Sequence, residues 1–395
     1  MLKKSFLLTA ICALMTTFSF AQVDLINKVK GNQSADAKEG FQFEKLIDLE
    51  TTGVKNQGRS GTCWSYCSNS FLESEMARIG KEAIDLAPMF TVRNVYEDKA
   101  DSYVRMHGYL NFGQGGALPD VIDMYGKYGA VPMEVYEGLE YGTDINQHSE
   151  MESILKGMLD AVIANKNKAL SPVWKKAYSS VLDAYLGDYP DEFMYKGKKY
   201  TPQTFARDMV GLSADDYVQF TSFTHKPFYD EMVVMVPDNW TYGESYNVPL
   251  DDITTIIDNA LEKGYSISWA TDVSEKGFSW RNGIAYVPET DYKKMSKEER
   301  DVMFSGPKPE MTVTQENRQA AYDNYTTTDD HGMQITGLAK DQNGKEYYIV
   351  KNSWGTGNDY DGYIYVTKNF VKYKTMTILL HKDAVPTAIR KKVAL

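Results

Sequence analysis

The sequence predicts an α+β protein with a largely helical first half, a β-rich second half and a cleft between the two lobes. Three observations carry that expectation. Apolar residues recur at three- and four-residue steps in several segments before Tyr217, and short β-branched and aromatic runs separated by Gly, Asn, Asp and Pro follow it. The chain of 395 residues is also long enough for two lobes.

The extreme N-terminus is set apart from the fold. Lys3 and Lys4 precede the apolar run "FLLTAICALMTTFSF", and Ser19 and Ala21 supply small residues for cleavage before Gln22. Residues 1–21 therefore read as a signal peptide, with export to a periplasmic or extracellular compartment expected. The run is shorter than the ~20 apolar residues of a spanning helix, and no later segment is apolar enough to cross a bilayer. Residues 22–395 are expected to form one domain. Within it, 55–216 make a mainly helical lobe with a helical insertion at about 146–212, and 217–390 a mainly β lobe. Residues 22–50 are polar with scattered apolar positions and are expected to wrap the surface.

The helices follow in order. Thr62 is placed to cap a helix in which Trp64, Cys67, Phe71, Leu72, Met76 and Ile79 keep helical spacing until Gly80. "LAPMFTVRNVYEDKADSYVRM" predicts a second helix and "GGALPDVIDMYGKYGAVP" a third, with Pro119 near its first turn. Met151, Leu155, Met158 and Leu159, then Val173, Ala177, Val181 and Leu182, describe an inserted helical hairpin. "YKGKKY" reads as a tight turn before Thr201 as a cap and Pro202 at the first helical position. From Tyr217 onward eight segments, "YVQFTSF" to "MTILLH", predict a mostly antiparallel, barrel-like sheet interrupted by one helix from Leu250 to Gly264.

Charge narrows the ligand. The net charge is −11, and there is no basic cluster, no Gly-rich phosphate cradle and no Cys/His grouping at zinc spacing. Nucleic acid and metal are set aside, which leaves small molecules, peptides or proteins. Once the leader is removed only Cys63 and Cys67 remain. Residues i and i+4 of one helix hold their Cβ atoms parallel, a poor match to disulfide geometry. Two free thiols are expected, one buried and one used.

Cys63 falls in the first helical turn, where unpaired N–H groups and the helix dipole favour a thiolate; Cys67, one turn on, is structural. A thiolate needs a proton carrier. With Asp341 to Gly344 reversing the chain, "HGMQITGLA" and "EYYIVKNSW" pair antiparallel, which brings His331 near Asn352 with an offset of about one pleat at ~3.3 Å per residue. The Asn352 oxygen would accept from one imidazole nitrogen and leave the other for sulfur. Gln57, joined to Cys63 by "GRSGT", is placed to donate to a tetrahedral oxyanion, worth ~3 kcal/mol of barrier. Asp330 either adds negative potential near the imidazole or sits solvated in a loop, and His107, His148, His225 and His381 have the setting of surface or packing histidines.

"NQGRSGTCWSYCSNSF", "DHGMQITG" and "VKNSWG" together resemble the signatures of papain-type cysteine peptidases. The intervening "GGALPDVIDMYGKYGAVP", "KGKKYTPQTFARDMVGLSADDYVQF" and "YNVPLDDI" are similar to the bleomycin hydrolase and aminopeptidase C branch. The resemblance implies a two-lobed papain-like fold and peptide-bond hydrolysis through an acyl-enzyme, with no metal or organic cofactor. Cys63 would be nucleophile, His331 base and then acid, Asn352 its orienter and Gln57 the oxyanion donor. Trp354 would shield the His/Asn bond, and Gly115 and Gly116 would offer backbone to an extended substrate. Peptide or protein substrates are implied, and a homo-oligomer, hexameric in that branch. In the branch a C-terminal arm in the cleft enforces aminopeptidase action, whereas the tail here, "TAIRKKVAL", is short. An aminopeptidase, an endopeptidase or oligopeptidase with an open cleft, acyl transfer to an amine, and a catalytically silent peptide-binding protein of the same fold all remain open.

Overall fold

The structure, a computed structural model, describes residues 40–166 and 169–395. The expected signal peptide and residues 22–39 lie outside the described residues. The first described element is β1 (Phe43–Asp48), followed by α1 (Cys63–Arg78), α2 (Pro88–Arg105) and α3 (Leu118–Tyr128). The hairpin α4 (Ser149–Ile163) and α5 (Trp174–Leu186) comes next, then the short strands β2 (Phe193–Tyr195) and β3 (Lys198–Tyr200) and the single turn α6 (Pro202–Phe205).

Local chemistry accounts for these helices. Pro88 and Pro119 stand in the first turns of α2 and α3, where no intrahelical N–H is needed. Gly129 ends α3 at φ +86°, and a Cβ there would come 2.3 Å from the Pro202 oxygen. In the hairpin, Met151, Leu155 and Leu159 of α4 meet Tyr178, Leu182 and Leu186 of α5 in the helical-lobe core. "YKGKKY" is more than a turn, because Gly197 at φ +78° closes β2 and β3 into a two-stranded sheet. α1 differs from the amphipathic helix expected: every residue from Cys63 to Met76 is buried. Its polar groups are satisfied inside, Ser65 Oγ donating to the Pro88 carbonyl and Asn69 Nδ2 to the Ser65 carbonyl, both at 2.8 Å.

The second half contributes β4 (Tyr217–Thr221), β5 (Glu231–Val233), β6 (Glu244–Asn247), α7 (Leu250–Glu262), β7 (Ile267–Thr271), β8 (Phe278–Ser279) and β9 (Ile284–Ala285). After α8 (Lys297–Asp301) and α9 (Gln315–Asp323) come β10 (His331–Asp341), β11 (Glu346–Lys351), β12 (Tyr363–Thr367), α10 (Lys368–Lys374), β13 (Thr375–His381) and α11 (Thr387–Lys392). The strands form one sheet in the order β5-β6-β4-β13-β7-β10-β11-β12-β9-β8, with β1 also on β10. Pairing is mostly antiparallel, as expected; β4–β6 and β9–β12 run parallel.

Several expectations are corrected here. The sheet is open, since the terminal strands β5 and β8 are very short and pair only with β6 and β9 among the described residues. Residues 43–48 do not merely wrap the surface: β1 pairs with β10, and Phe43 stacks on Tyr365 at 3.7 Å. The β-rich half carries four further short helices besides α7. Packing of Phe370, Val371 and Ile389 is supplemented by other contacts: Ser296, Thr314 and Thr367 cap α8, α9 and α10, and buried Arg318 of α9 donates to the carbonyls of Ser222, Lys372 and Thr375. The C-terminal tail packs as α11, whose Ile389 and following Val393 join the core containing α7, with Lys392 Nζ donating to Tyr229 Oη at 2.9 Å.

The lobes are joined where α1 lies on β10. Ser70 Oγ donates to Gln334 Oε1 at 2.8 Å, and Gln334 Nε2 donates to Ser74 at 2.9 Å and Ser266 at 3.0 Å, all buried. Gln334→Ala leaves buried hydroxyls without their partner and is expected to lower the unfolding free energy by about 2 kcal/mol in urea titration; an unchanged midpoint would remove this network from the account of how the lobes adhere.

Candidate active site

The loop before α1 is held from several directions. Gly58 takes φ +64°, with a would-be Cβ 2.8 Å from the Asn146 oxygen, and Gly61 N–H donates to Gln114 Oε1 at 2.7 Å. Thr62 does not cap α1 as expected, because its hydroxyl is paired with Ser60 Oγ at 2.6 Å and makes no bond to the helix. Trp64 Nε1 donates to the Gln114 carbonyl at 2.9 Å, and its indole fills the space beside Gly116, where a Cβ would come within 2.8 Å.

Cys63 opens α1 and is 4% exposed. Burial pushes its thiol well above the ordinary range, and Cys67 and the carboxyls of Asp329 and Asp238 push the same way, while the Gly332 backbone N–H opposes them. Dehydration thus opposes the thiolate that the helix terminus favours. Cys63 and Cys67 form no disulfide, as expected, but both are buried rather than one.

His331, the first residue of β10, pairs with Thr271 of β7, and Asn352 immediately follows β11. Gln334 faces Lys351 in the hairpin register, so continuing it places Met333, two residues from His331, opposite Asn352. The imidazole nonetheless reaches across: Nε2 lies 2.7 Å from Asn352 Oδ1. That oxygen also accepts the Ser353 N–H at 2.7 Å, which identifies it as the acceptor and Nε2 as the protonated nitrogen. Nδ1 is then the nitrogen available to sulfur. Trp354 stacks on the imidazole at 4.5 Å and is itself packed edge-on against Trp280.

The Gln57 side chain is buried and oriented at both ends. Oε1 accepts from Ser353 Oγ and Nε2 donates to the Ser60 carbonyl, each at 2.7 Å, leaving the second amide hydrogen of Nε2. Gly116 lines the cleft. Gly115 is committed to packing, its carbonyl accepting from Lys99 Nζ at 2.6 Å and a would-be Cβ overlapping the Asp238 carboxylate at 2.0 Å. The cleft is walled among others by Cys63, Trp64, Gly116, Asp238, Asp329 and His331. Asp330 accepts the Val273 N–H at 2.8 Å, and burial and then Asp272 push it well above the carboxylate range. His148 is fully buried and pushed down to about 3, a neutral packing residue.

Sequence reasoning missed Gln114, Asp238 and Asp329. The carboxyls resemble ordinary loop residues, and only the doubled aspartate directly before His331 offered a signal for Asp329. Among the described residues, no group of three or more His, Cys, Asp or Glu side chains could hold a metal ion. No helix among them is long and apolar enough to cross a membrane.

The fold thus brings together a thiol opening a buried helix, an imidazole facing the same cleft and a carboxamide behind it. Residues 185–394 match the Peptidase C1-like family. The chain is 23% identical over 401 residues to aminopeptidase C of Streptococcus thermophilus, covering 91% of this chain and 86% of that protein. It is 22% identical over 382 residues to aminopeptidase E of Lactobacillus helveticus, covering 85% of this chain and 82% of that one. The crystal structure of PepW from Lactobacillus rhamnosis superposes with a TM-score of 0.69 at 18% identity, covering 100% of this chain and 95% of that chain. The chain belongs to the Peptidase C1-like family: it is a cysteine peptidase of papain-like fold, on the bleomycin hydrolase and aminopeptidase C branch.

Burial raises the Cys63 thiol, and a neighbouring imidazolium would oppose that shift. In His331→Ala the pH midpoint of Cys63 alkylation by iodoacetamide is therefore expected to rise by roughly two units or more; the same midpoint in both proteins would show that the helix terminus ionises the sulfur unaided.

Proposed function

We propose that Cys63, His331 and Asn352 are the catalytic centre of a peptidase that releases N-terminal residues from oligopeptides. The observation that carries this reading is the 2.7 Å bond from His331 Nε2 to Asn352 Oδ1, made while His331 and Cys63 wall one cleft. Cys63 Sγ attacks the scissile carbonyl as a thiolate paired with the imidazolium. His331 gives its proton to the departing amine, and the resulting thioester is opened by a water that the same nitrogen deprotonates. The Cys63 backbone N–H and the remaining Gln57 amide hydrogen stand on the loop side of the sulfur, suited to the developing oxyanion. Trp354 covers the His331 ring and keeps water from competing for the Asn352 bond.

The aminopeptidase assignment is supported by the names of the related proteins, and a second reading by the tail. No residue beyond Thr377 is among those lining the cleft, and α11 is docked beside α7. A cleft not closed by the tail suits an oligopeptidase or endopeptidase as well. Residues 1–21 support export, which is part of the proposal.

Cys63→Ala is expected to abolish turnover, and Asn352→Ala to lower kcat by about tenfold or more with KM little changed, because the orienting bond acts on the imidazole rather than on substrate binding. An unblocked aminoacyl fluorogenic amide should be cleaved faster than its N-acetylated twin; equal rates defeat the aminopeptidase assignment in favour of the open-cleft reading. Peptides recovered from the exported protein should begin at Gln22, and recovery of the intact leader on a cell-retained chain would refute export.

A further inference from the structure

Two carboxyls in the cleft have no part in the hydrolytic step. Asp329 stands two residues before His331, and Asp238 comes from the loop between β5 and β6, so separate parts of the fold bring them to one cavity. Among the described residues the Asp329 carboxyl has no hydrogen-bond or ion-pair partner. Asp238 accepts one long bond, 3.2 Å, from Asn111 Nδ2. The nearest buried cation, Lys99, is spent elsewhere, its ammonium donating to the carbonyls of Gly113 and Gly115.

These groups are electrostatically unsatisfied. Burial and then the charges of Asp238 and Asp272 push Asp329 up to about 8, and burial raises Asp238 against the pull of Lys99. Both lie close enough to Cys63 to raise its thiol. A cation between them would relieve the repulsion, favour both ionised forms and lie in the same cleft as the Cys63 sulfur. The adjoining wall is apolar, formed by Val234, Val236, Ala270 and Met376. One end of this part of the cleft is therefore suited to an ammonium and the other to a hydrocarbon side chain, the two substituents of a peptide's first residue. The tail, packed beside α7, offers no counter-charge here.

We propose that Asp238 and Asp329 together form the subsite for the substrate's ammonium group, the free α-amine of its first residue, and that they set the cleavage position in place of the C-terminal tail. This rests on the peptidase reading above. A lysine or arginine side chain carries the same charge, so the substrates must separate the two sources.

The test compares the parent, D238N, D329N, the double variant and a chain ending at Arg390 on three fluorogenic amides: unblocked leucyl, N-acetyl-leucyl and N-acetyl-lysyl. The double variant is expected to raise KM for the unblocked amide roughly tenfold or more and to lower the ratio of unblocked to N-acetyl-leucyl kcat/KM by a similar factor, so that the preference for a free amine collapses. The truncated chain should keep that preference. Stoichiometric labelling of Cys63 by iodoacetamide, with N-acetyl-leucyl turnover, reports on the catalytic centre separately; if the double variant does not label, the single variants, each keeping one carboxylate, carry the comparison. Undiminished preference in variants that label overturns the proposal, as does its loss on truncation alone. A parent that favours N-acetyl-lysyl over N-acetyl-leucyl, with that difference lost in the variants, assigns the subsite to a side chain and overturns the α-amine assignment.

Discussion

The approach of α1 to the start of β10 is the contact on which the rest of the site depends. At Gly332 a side chain is forbidden by distance: a Cβ would lie 2.8 Å from Cys67 Sγ and 3.2 Å from the Trp64 Cα. With only hydrogen there, the strand backbone comes close enough for its N–H to bond the Cys63 sulfur, and His331, one residue earlier, is delivered to the same place. Trp64 completes the fit by filling the gap between Gly332 and Gly116. Catalytic geometry is thus set by steric closeness between two rigid elements rather than by a flexible loop.

That closeness has an electrostatic consequence. Burying the thiol disfavours its charged form, and an imidazolium partner would favour it. The second layer then becomes important. Asn352 accepts from both His331 Nε2 and the Ser353 N–H, Ser353 Oγ in turn holds Gln57, and Trp354 stacks on the ring. Three consecutive residues, Asn352 to Trp354, therefore orient the imidazole and the Gln57 amide. A change at Ser353 would disturb both at once, although it touches neither sulfur nor substrate.

The remaining polar groups between the lobes act as fixed fasteners. Gln334 links three serines, and Lys351 Nζ donates to Ser70 and to the Thr52 carbonyl at 2.8 Å each. Such a junction is well suited to specificity of docking, because a shifted helix would leave several buried donors unpaired. The cleft carboxyls Asp238 and Asp329 are the counter-example. Asp329 has no hydrogen-bond partner among the described residues and Asp238 only a long one, and a poorly satisfied carboxyl in a cleft is where a ligand contributes most.

Much of this was legible in the chain. Helical periodicity with Pro at the starts and Gly at the ends placed α1 to α5, and the Asp341–Gly344 turn put His331 beside Asn352, because these signals are local in sequence. β1, β6 and the short helices were not, since their stability comes from distant partners: Phe43 is a strand residue because Tyr365 stacks on it, and α9 is held by the carbonyls around Arg318. By itself the sequence determined which atoms could perform the chemistry, because residue type and short spacing suffice for that. Only the tertiary structure decided how that chemistry is tuned: burial of the thiol, an open sheet, a tail packed away from the cleft and two aspartates facing one cavity all depend on distances between residues far apart in the chain, which no local pattern encodes.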